Sequence, residues 1–380
     1  MNLLFASDSF KGSLTSEQTI KLLTKAAHEV FGDCETSGVP VADGGEGTVD
    51  TVIKAEKGEL VTCSVHGPGM EPIEASYGVF NGDRAIIEMS AASGLTLVPP
   101  DKRNPMNTTT YGTGELILRA LDRGYRNLSI AIGGSATNDG GMGCLRALGV
   151  RFLDEDNIEL TGFGRDLIKV CKIDTSELDS RLKECNITVM CDVNNPLCGR
   201  DGATHTFGPQ KGATPVILNN LEAGMCNYRD IIKEDFGVDC DSIKGAGAAG
   251  GLGAALFVFL NGTMKSGIEA VLDLIHFDER LEGVDLVVTG EGRTDWQSCF
   301  GKVMQGVGLR AKEKNIPVLG LSGSLGRNAL DICEYGISSL MTTINAPMSL
   351  DEALANAESL YYEAALRMFR LVKAGMDLKK

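Results

Sequence analysis

Short acidic, amide and hydroxyl side chains recur in glycine-rich loops that follow apolar runs of this chain. Four such segments are VPVADGGEGT (39–48), AIGGSATNDGGMG (131–143), VMCDVNNPLCG (189–199) and LVVTGEGRTD (286–295). A buried strand that ends in such a loop places backbone N–H groups and carboxylates at the carboxyl edge of a sheet, where α/β folds bind anionic ligands. Carboxylates beside phosphate-cradling glycines are expected to share a divalent cation. The pattern therefore predicts an enzyme that handles a phosphorylated ligand together with Mg²⁺.

Two loops near the amino terminus carry charged side chains beside glycines. In DSFKGSLT (8–15), Lys11 precedes a predicted helix and could hold a carboxylate or a phosphate with help from the helix dipole. A helix cap with a solvated lysine explains that loop equally well. In ADGGEGT, capping accounts for one acid, but Asp43 and Glu46 on one tight turn repel each other unless a cation or a donor pairs with them.

Three later loops offer further ligand groups. GGSATNDGG presents hydroxyl, amide and carboxylate oxygens that suit phosphate and Mg²⁺, although an Asx-turn loop is the structural alternative. Asp192 ends a predicted strand, a position suited to a general base or a metal ligand. Lys211 lies near glycines in GPQKGAT and could be a mobile cation for a phosphate. TGEGRTDWQS carries the acids Glu291 and Asp295 and the basic Arg293 in one loop, which suits a ligand site. A surface turn closed by salt bridges is the structural alternative.

Composition excludes several classes of function. The net charge of −15 over 380 residues argues against a nucleic-acid partner, which needs a basic surface. The 11 cysteines include no C-x-x-C pair and are expected to be reduced and packed as small apolar groups. The amino terminus lacks the basic region of a signal peptide, and no apolar run approaches the roughly 18 residues that span a membrane. We therefore expect a cytoplasmic protein with no membrane partner.

The order of predicted elements indicates two α/β domains. Thr15 and Gln18 form a capping-box pattern at the start of a helix over about 16–31, and a β-hairpin with an Asn-Gly-Asp turn is expected over about 63–90. Strict β–α alternation returns beyond residue 284, and a last helix begins at a second capping box, Ser349 and Glu352, with an apolar face that includes Leu354 and Leu371. We predict a discontinuous domain, residues 1–65 and 285–380, and an inserted α/β domain, residues 66–284.

Common catalytic signatures do not fit. GAGAAG (245–250) matches the dinucleotide fingerprint G-x-G-x-x-G, but no buried strand precedes it, so close helix packing is the favoured interpretation. The P-loop, the protein-kinase motifs and the G-x-S-x-G elbow are absent from the sequence. With only 4 histidines, a Ser-His-Asp triad or a histidine-rich metal site is not expected.

Taken together, the loops resemble one family. The segments DSFKGSLT, PVADGGEGT, NTTTYGTGEL, GGSATNDGGMG, CDVNNPLCG, GPQKGAT, GAAGGLGAAL, TGEGRTD and GKV occur in an order similar to that of the bacterial glycerate kinase family of type I, over nearly the whole chain. The resemblance implies ATP-dependent phosphorylation of D-glycerate, usually to 2-phosphoglycerate, with Mg²⁺. It also implies two α/β domains, one of them flavodoxin-like, with the active site in the cleft between them. A bulky Trp296 stands between the Asp and Gln of TDWQ, a local departure from the family pattern.

Roles follow from residue chemistry, since phosphoryl transfer requires positioning and charge stabilisation. Asp192 is the predicted general base, with Asp295 as second candidate. The glycerate carboxylate would be held by Lys11, which also counts as catalytic, with Arg293 as second candidate. Asp8 and Ser13 are further predicted substrate-binding residues. Mg²⁺ would be held by some of Asp43, Glu46, Asp139 and Glu291. The triphosphate would lie on Gly133, Gly134, Ser135, Thr137, Asn138 and Lys211.

Two other functions stay open at this point. A kinase for another small hydroxy acid would keep every phosphate-binding feature and change only the carboxylate pocket. A non-catalytic sensor of phosphorylated metabolites would bind without turnover, but binding alone does not require so many acids on glycine-rich loops. The sequence leaves open which hydroxyl is phosphorylated and whether the protein forms a homo-oligomer.

Overall fold

A computed structural model of the chain describes residues 1–378, in which strands and helices alternate along most of the sequence. The strands, in chain order, are β1 (Asn2–Phe5), β2 (Glu35–Gly38), β3 (Glu59–His66), β4 (Pro72–Phe80), β5 (Arg84–Glu88), β6 (Asn127–Ala131), β7 (Arg151–Leu153), β8 (Lys172–Asp174), β9 (Asn186–Met190), β10 (Thr263–Lys265), β11 (Leu286–Thr289), β12 (Arg293–Thr294), β13 (Val318–Ser322), β14 (Ser324–Leu325) and β15 (Ile337–Thr342).

The α-helices are numbered in the same way, and short 3₁₀ turns connect several of them. They are α1 (Ser16–Phe31), α2 (Thr48–Glu56), α3 (Ser90–Ser93), α4 (Tyr111–Asp122), α5 (Met142–Ala147), α6 (Ala203–Phe207), α7 (Pro215–Phe236), α8 (Leu252–Leu260), α9 (Gly267–Leu274), α10 (Phe277–Arg280), α11 (Val303–Glu313), α12 (Leu350–Ala355) and α13 (Ala357–Asp377). Among residues 1–378, no helix combines the length and the apolar character needed to cross a bilayer.

The chain divides into two compact units. The split unit comprises Met1–Asp43 and the residues from Gly267 onward, and the inserted unit comprises Gly44–Ser266. Both boundaries lie closer to the amino terminus than the sequence pattern predicts. The first differs because α2 packs on β4 and β5, and β3 pairs along its whole length with β4, so both elements belong to the inserted unit. The second differs because α9 and α10 pack with α11 of the split unit, where Arg310 binds Glu269.

The split unit contains a five-stranded parallel sheet in the order β15-β13-β11-β1-β2. Numbered by their order within this unit, the strands follow the 2-1-3-4-5 arrangement of flavodoxin-like folds. The strand order therefore reverses between β1 and β11, which are direct neighbours with Leu3 opposite Leu286. Ligands of such sheets bind beyond the carboxyl ends of the strands at this reversal.

The core of the split unit lies where apolar strand residues meet two helices. Leu3, Phe5 and Val288 are fully buried, and α1 and α13 pack together over the sheet. The predicted capping box at the start of α1 is confirmed, since Gln18 N–H donates to Thr15 and the Gln18 side chain accepts from the Thr15 N–H. That box satisfies two of the backbone donors that a helix start leaves unpaired.

The inserted unit is built on a six-stranded mixed sheet in the order β10-β9-β6-β5-β4-β3. The strands β5, β6, β9 and β10 are parallel, whereas β3 and β4 form the antiparallel hairpin edge. Asn81 and Gly82 both have positive φ in the turn between β4 and β5, as an Asn-Gly turn requires. Tyr77, Phe152 and Tyr228 are among the largest fully buried side chains of its core.

Three sequence expectations about local structure need correction. The second strand ends at Gly38, before the predicted run from Val39. The last helix is not continuous: α12 ends at Ala355, and α13 buries Leu360 and Phe369 while Leu354 and Leu371 stay exposed. The helix α12 has no buried residue, so the buried apolar face lies on α13 alone and ends before Leu371.

The glycines of GAGAAG serve close packing rather than a dinucleotide turn. Gly250 has φ 67°, and a Cβ there would lie 2.1 Å from the Thr137 carbonyl oxygen. Its carbonyl accepts the Gly140 N–H at 2.9 Å. A 3₁₀ turn over Cys240–Ser242, not a strand, precedes the motif. The backbone approach that glycine permits therefore positions the GGSATNDGG loop against α8.

Candidate active site

A cavity of about 660 Å³ opens in the split unit where the carboxyl ends of β1 and β11 meet, which is the position expected from the strand order. Its volume suits a small metabolite or a nucleotide. Its polar lining consists of Asp8, Ser9, Lys11, Ser13, Asp43, Glu291, Arg293, Lys302, Ser324, Thr343 and Ser349, with the Tyr361 ring beside them. The cavity therefore brings together most of the charged groups predicted for the amino-terminal and TGEGRTD loops.

Asp8 lies on the loop that follows β1. Its N–H donates to the Gly290 carbonyl at 2.9 Å, and its Oδ1 accepts the Ser9 N–H at 2.6 Å. The pKa of Asp8 is raised from 3.8 to about 6. Burial is the largest cause and the nearby Asp43 carboxylate the next, while the Ser9 hydrogen bond and the charge of Lys11 act in the opposite direction. A carboxyl group with this pKa can hold or release a proton near neutral pH.

Glu291 lies on the loop after β11 and is only 6% exposed. Its Oε1 accepts from Thr294 Oγ1 at 2.9 Å and from Ser298 Oγ. Burial raises the pKa of Glu291 above its ordinary value, while these two hydrogen bonds and the charge of Lys302 act in the opposite direction. The side chain is therefore held in one orientation at the cavity wall.

The loops that carry these residues are tied together by a second, two-stranded parallel sheet. Strand β12 places Arg293 opposite Ser324 of β14, and Thr294 Oγ1 lies 2.7 Å from Ser322 Oγ. Gly290 allows this close approach, since a Cβ there would lie 2.0 Å from the Leu321 carbonyl oxygen. The rim of the cavity is thus held by strand pairing and side-chain hydrogen bonds and is not a loose surface turn.

Lys11 and Ser13 occupy a tight turn between β1 and α1. Ser13 N–H and Oγ both donate to the Phe10 carbonyl, at 2.8 and 3.0 Å, and the Lys11 side chain is exposed. The turn therefore directs a mobile cation to the cavity at the start of α1, where the helix dipole favours an anion.

Asp295 does not line the cavity. It caps the 3₁₀ turn Trp296–Cys299, where its side chain accepts the Gln297 N–H at 2.9 Å, and its Oδ2 lies 3.5 Å from Arg293 Nε. The structure thus gives Asp295 a capping and pairing role in place of the predicted second base.

Lys302 and Ser324 of the cavity lining were not predicted as site residues. Lys302 belongs to the GKV segment and directly precedes α11. A Gly-Lys pair before a helix is a local sequence signal for an anion site, and it could have identified this residue. Ser324 has no such local signal, because only the pairing of β14 with β12 brings it to the cavity.

The cavity also has an apolar wall. It is formed by the start of α1 and by the segment that leads through α12 to α13, and its members include Leu14, Ile344, Met348, Leu354 and Tyr361. Such a wall can contact a planar or apolar part of a ligand beside the charged part.

In the inserted unit, a second group of predicted residues lies at the carboxyl edge of the parallel strands. Gly133 and Gly134 follow β6 and are exposed. Glu88, which sequence reasoning missed, ends β5, and its Oε1 accepts the Val49 N–H at 2.8 Å. Burial raises the pKa of Glu88 above its ordinary value. Glu46 is exposed on the short loop that leads into α2.

Asp139 is placed in the interior and does not face a ligand surface. It is fully buried, and its Oδ2 accepts from Thr110 N–H and Oγ1, each at 2.7 Å, and from Gly143 N–H at 3.2 Å. Its Oδ1 accepts the Gly141 N–H at 3.2 Å. Burial raises the pKa of Asp139, and these hydrogen bonds lower it. The carboxylate therefore anchors the starts of α4 and α5 and is not available as the predicted Mg²⁺ ligand.

The other polar residues of this loop are also withdrawn from the surface. Thr137 and Asn138 are fully buried, and Ser135 is nearly so. Lys211 is 2% exposed, and its Nζ donates to the Thr137 carbonyl at 2.6 Å. Burial lowers the pKa of Lys211 to about 7, against the opposing charge of Asp139. Lys211 thus supports the loop from inside, which corrects its predicted role as a mobile cation.

Asp192 lies two residues beyond the end of β9 and is exposed at the same strand edge as Gly133. The segment continues through Asn195, whose Nδ2 donates to the Asp201 carbonyl at 2.7 Å. That bond closes the loop on itself and fixes where it leaves the strand.

Comparisons with known proteins agree with the resemblance seen in the loops. The sequence pattern of the Glycerate kinase family matches residues 3–373. The chain belongs to this family. It is 44% identical over 377 residues to glycerate 2-kinase of Escherichia coli, with 99% of both chains covered, and 44% identical over 365 residues to glycerate kinase of Halalkalibacterium halodurans, with 96% of each covered.

A solved structure assigned as glycerate kinase 2 from Salmonella typhimurium is 42% identical and has a TM-score of 0.90 over 99% of both chains. The α/β fold of the glycerate kinase family is thus confirmed for this chain. Membership makes the chain a kinase-family enzyme, and a kinase family implies ATP as the phosphoryl donor.

Proposed function

We propose that this protein transfers the γ-phosphoryl group of ATP to D-glycerate and forms 2-phosphoglycerate rather than 3-phosphoglycerate. Family membership supports the reaction, and the name of the Escherichia coli relative supports the position. The observation that carries the proposal is the split-unit cavity, which combines Asp8, Asp43 and Glu291 with the cations Lys11 and Lys302. A small anionic substrate and a phosphate require this mixture of charges.

The glycerate carboxylate is held by Lys11 in this proposal. Its ammonium lies on the turn that begins α1, and Ser13 and Arg293 line the same cavity. A charge-assisted hydrogen bond from lysine to a carboxylate contributes about 1.5–3 kcal/mol. Asp8 is better suited to proton transfer or to a cation than to a substrate carboxylate, which it would repel.

The proton of the attacking hydroxyl requires a carboxylate within hydrogen-bond reach. Asp192 remains the proposed base, because it is an exposed carboxylate two residues beyond a buried strand. The cavity adds Asp8 as a rival, since a pKa of about 6 is close to the value at which a base works best near neutral pH. Substitution of each residue separates the two candidates.

A divalent cation fits the acidic side of the cavity. Asp8, Asp43 and Glu291 all line it, and the Asp43 and Glu291 charges both raise the pKa of Asp8, a repulsion that a cation would relieve. Mg²⁺ binds one or two carboxylates together with phosphate oxygens, and it neutralises charge on the phosphoryl group. Asp43 and Glu291 are the proposed ligands. Glu46, in the inserted unit, remains a proposal from its exposed carboxylate alone.

The triphosphate is assigned to the loop after β6. Gly133 and Gly134 expose backbone there, and the positive φ of Gly134 shapes the turn. Backbone N–H groups of glycine-rich loops bind phosphate oxygens. Ser135, Thr137 and Asn138 support this backbone from below, because their side chains are buried.

The proposed reaction is tested with purified protein, ATP, Mg²⁺ and D-glycerate in a coupled assay of ADP release, with phosphorus NMR of the product. We expect ADP release that depends on both glycerate and metal, and a phosphomonoester at carbon 2. L-glycerate and other small hydroxy acids serve as substrate controls. Turnover with another hydroxy acid but not with glycerate would overturn the substrate, and a product at carbon 3 would overturn the position. ATP binding without turnover on any acid would favour the sensor.

A further inference from the structure

We infer that the inserted unit contains a second metal site, specific for a thiophilic divalent cation such as Zn²⁺, formed by Cys198, Glu222 and Cys226. This site is separate from the proposed Mg²⁺ ligands and does not depend on the proposed kinase reaction. One thiol or carboxylate oxygen from each residue lies within 4.8 Å of the other two.

The geometry comes from one helix and one loop. Glu222 and Cys226 are four residues apart on α7, so both side chains lie on the same helix face. Cys198 is buried in the segment between β9 and α6. In a tetrahedral zinc site, ligand bonds of about 2.3 Å to sulfur and about 2.0 Å to oxygen separate two sulfurs by roughly 3.8 Å and a sulfur from an oxygen by roughly 3.5 Å. Cys226 Sγ lies 3.8 Å from Glu222 Oε1, so this thiol is already beside the carboxylate whose other oxygen, Oε2, is the proposed ligand.

Glu222 provides an independent observation. Its Oε1 accepts the Gly199 N–H at 2.6 Å, but its Oε2 is buried and has no hydrogen-bond partner. A buried carboxylate oxygen without a partner costs about 1–3 kcal/mol or more, and such an atom calls for an unseen ion or water. A cation bound between Oε2 and the two sulfurs would satisfy it.

Arg229, whose charge acts on the Cys226 thiol, is already paired with two acids. It lies 2.9 Å from Asp241 and 2.8 Å from Asp230. Asp241 also accepts the Cys198 N–H at 2.8 Å, which adds negative charge beside the cluster. Burial raises the pKa of both thiols, and that of Cys198 rises far above the ordinary range. Even a thiol with the ordinary pKa of about 8.5 is mostly protonated at neutral pH, so a metal that binds both sulfurs must displace two protons.

The chemistry of the three donor groups, two cysteine sulfurs and one carboxylate, determines which metal the site prefers. Thiolate sulfurs favour Zn²⁺ over Mg²⁺ or Ca²⁺, and two sulfurs with one carboxylate leave a fourth position for water. A disulfide between the two cysteines would not explain the third ligand or its unpartnered oxygen. Because Cys198 lies in the segment that begins after Asp192, a bound metal would fix that segment to α7.

The experiment uses the full-length protein, reduced and stripped of metal, titrated with Cd²⁺ and followed by thiolate-to-metal charge-transfer absorption. We expect one Cd²⁺ per chain, release of about two protons per metal at neutral pH, and competition by Zn²⁺ but not by Mg²⁺. Binding without the charge-transfer band, or without proton release, would overturn the site.

Glu222→Gln is the decisive variant, because it keeps both thiols and nearly the same shape. We expect at least tenfold weaker Cd²⁺ binding in Glu222→Gln and loss of the charge-transfer signal in Cys198→Ser. Cys171→Ser and Cys333→Ser, at exposed cysteines outside the cluster, are the matched controls and should bind as the unsubstituted protein does.

If Cys198→Ser fails to fold, the thermal midpoint of the unsubstituted protein and of Glu222→Gln is measured with and without Zn²⁺. Zn²⁺ should raise the midpoint only where the site is intact. Equal binding by Glu222→Gln, or equal loss of signal in the two controls, would show that other cysteines hold the metal. A Cys198–Cys226 disulfide that persists after treatment with reductant would also exclude the site.

Discussion

Asp8 and Glu291 follow the adjacent parallel strands β1 and β11, and both carboxylates line the same cavity of the split unit. The two residues are far apart in sequence, and only the reversal of strand order at this point makes them neighbours. The Glu291 charge contributes to the raised pKa of Asp8, after burial and Asp43. The sheet thus concentrates negative charge where the proposed function needs a cation and a proton acceptor.

The raised pKa of Asp8 predicts a pH-dependent cost of folding. Its pKa is about 6 in the folded protein and 3.8 ordinarily, so the ionised form destabilises the folded state as the pH rises from about 4 to about 6. The full penalty above pH 6 is roughly 3 kcal/mol. Asp8→Asn should therefore be more stable than the unsubstituted protein at pH 7, by up to that amount, with little difference at pH 4.

The measurement is urea unfolding of both proteins from pH 4 to pH 8 without metal. Asp43→Asn is the control, because loss of the neighbouring charge should lower the pKa of Asp8 and reduce the gain from Asp8→Asn. A gain that does not change with pH would contradict the burial of this charge.

Lys11 is predicted to bind the substrate carboxylate. Lys11→Met should lower kcat/KM for glycerate by roughly 10- to 150-fold, which corresponds to the loss of one charge-assisted hydrogen bond. KM for ATP should change much less. Steady-state kinetics with each substrate varied measure this, and Lys21→Met, an exposed lysine of α1, is the matched control. An equal rise in both KM values would instead place Lys11 on the nucleotide.

Asp192 is predicted to accept the proton of the attacking hydroxyl. Asp192→Ala should lower kcat by about 10²- to 10⁴-fold and leave ATP binding nearly unchanged. Turnover is compared with nucleotide binding measured by calorimetry. Activity within a few-fold of the unsubstituted protein, together with a large loss in Asp8→Asn, would transfer the role of base to Asp8.

Asp139 is predicted to stabilise the fold rather than to bind metal. Asp139→Asn would place an amide NH₂ group among donors from Thr110 and Gly143, so we expect a loss of about 2–4 kcal/mol in the free energy of unfolding. Chemical unfolding measures this, and Asp101→Asn, at an exposed carboxylate, should change stability by less than about 0.5 kcal/mol. Unchanged stability with a weaker metal dependence of activity would restore the metal role of Asp139.

Arg310 is predicted to hold α9 and α10 in the split unit. Its guanidinium binds Glu269, Asp273 and Asp278 at 2.5–2.7 Å while its own side chain is only 16% exposed. Arg310→Met should cost about 1–3 kcal/mol, because the acids are partly exposed and solvent screens them. Arg370→Met, whose exposed side chain lies 3.6 Å from Glu29, should cost less than about 1 kcal/mol. Thermal and urea unfolding measure both losses. Equal losses for Arg310→Met and Arg370→Met would contradict a stabilising role of the ion cluster around Arg310.

Local signals in the sequence were sufficient where the structure depends on neighbouring residues. The capping boxes at Thr15 and Ser349 form as predicted, since each needs only residues three apart. The strand that leads to Glu291 was predicted from its apolar run. The glycine-rich loops were also predicted, because their composition is visible in consecutive residues.

Burial of polar groups could not be predicted in this way. Asp139 and Lys211 resemble ligands in the sequence because they lie among glycines, but donors from α4 and the backbone of Thr137 enclose them. Those partners are distant in the chain, and no local spacing indicates them. The first domain boundary also differs from the prediction, because the packing of α2 on β4 and β5 and the pairing of β3 with β4 place the chain from Gly44 in the inserted unit. These contacts join residues that are distant in the chain.

The split unit has a consequence for synthesis on the ribosome. The segment from β1 to β2 packs with α13, and Phe5 contacts Phe369 with ring centroids 6.2 Å apart. At about 5–20 residues per second, tens of seconds pass between translation of these two phenylalanines. The inserted unit has all of its residues well before that time. We therefore expect it to fold first, while the amino-terminal strands wait with apolar surface exposed and depend on chaperones.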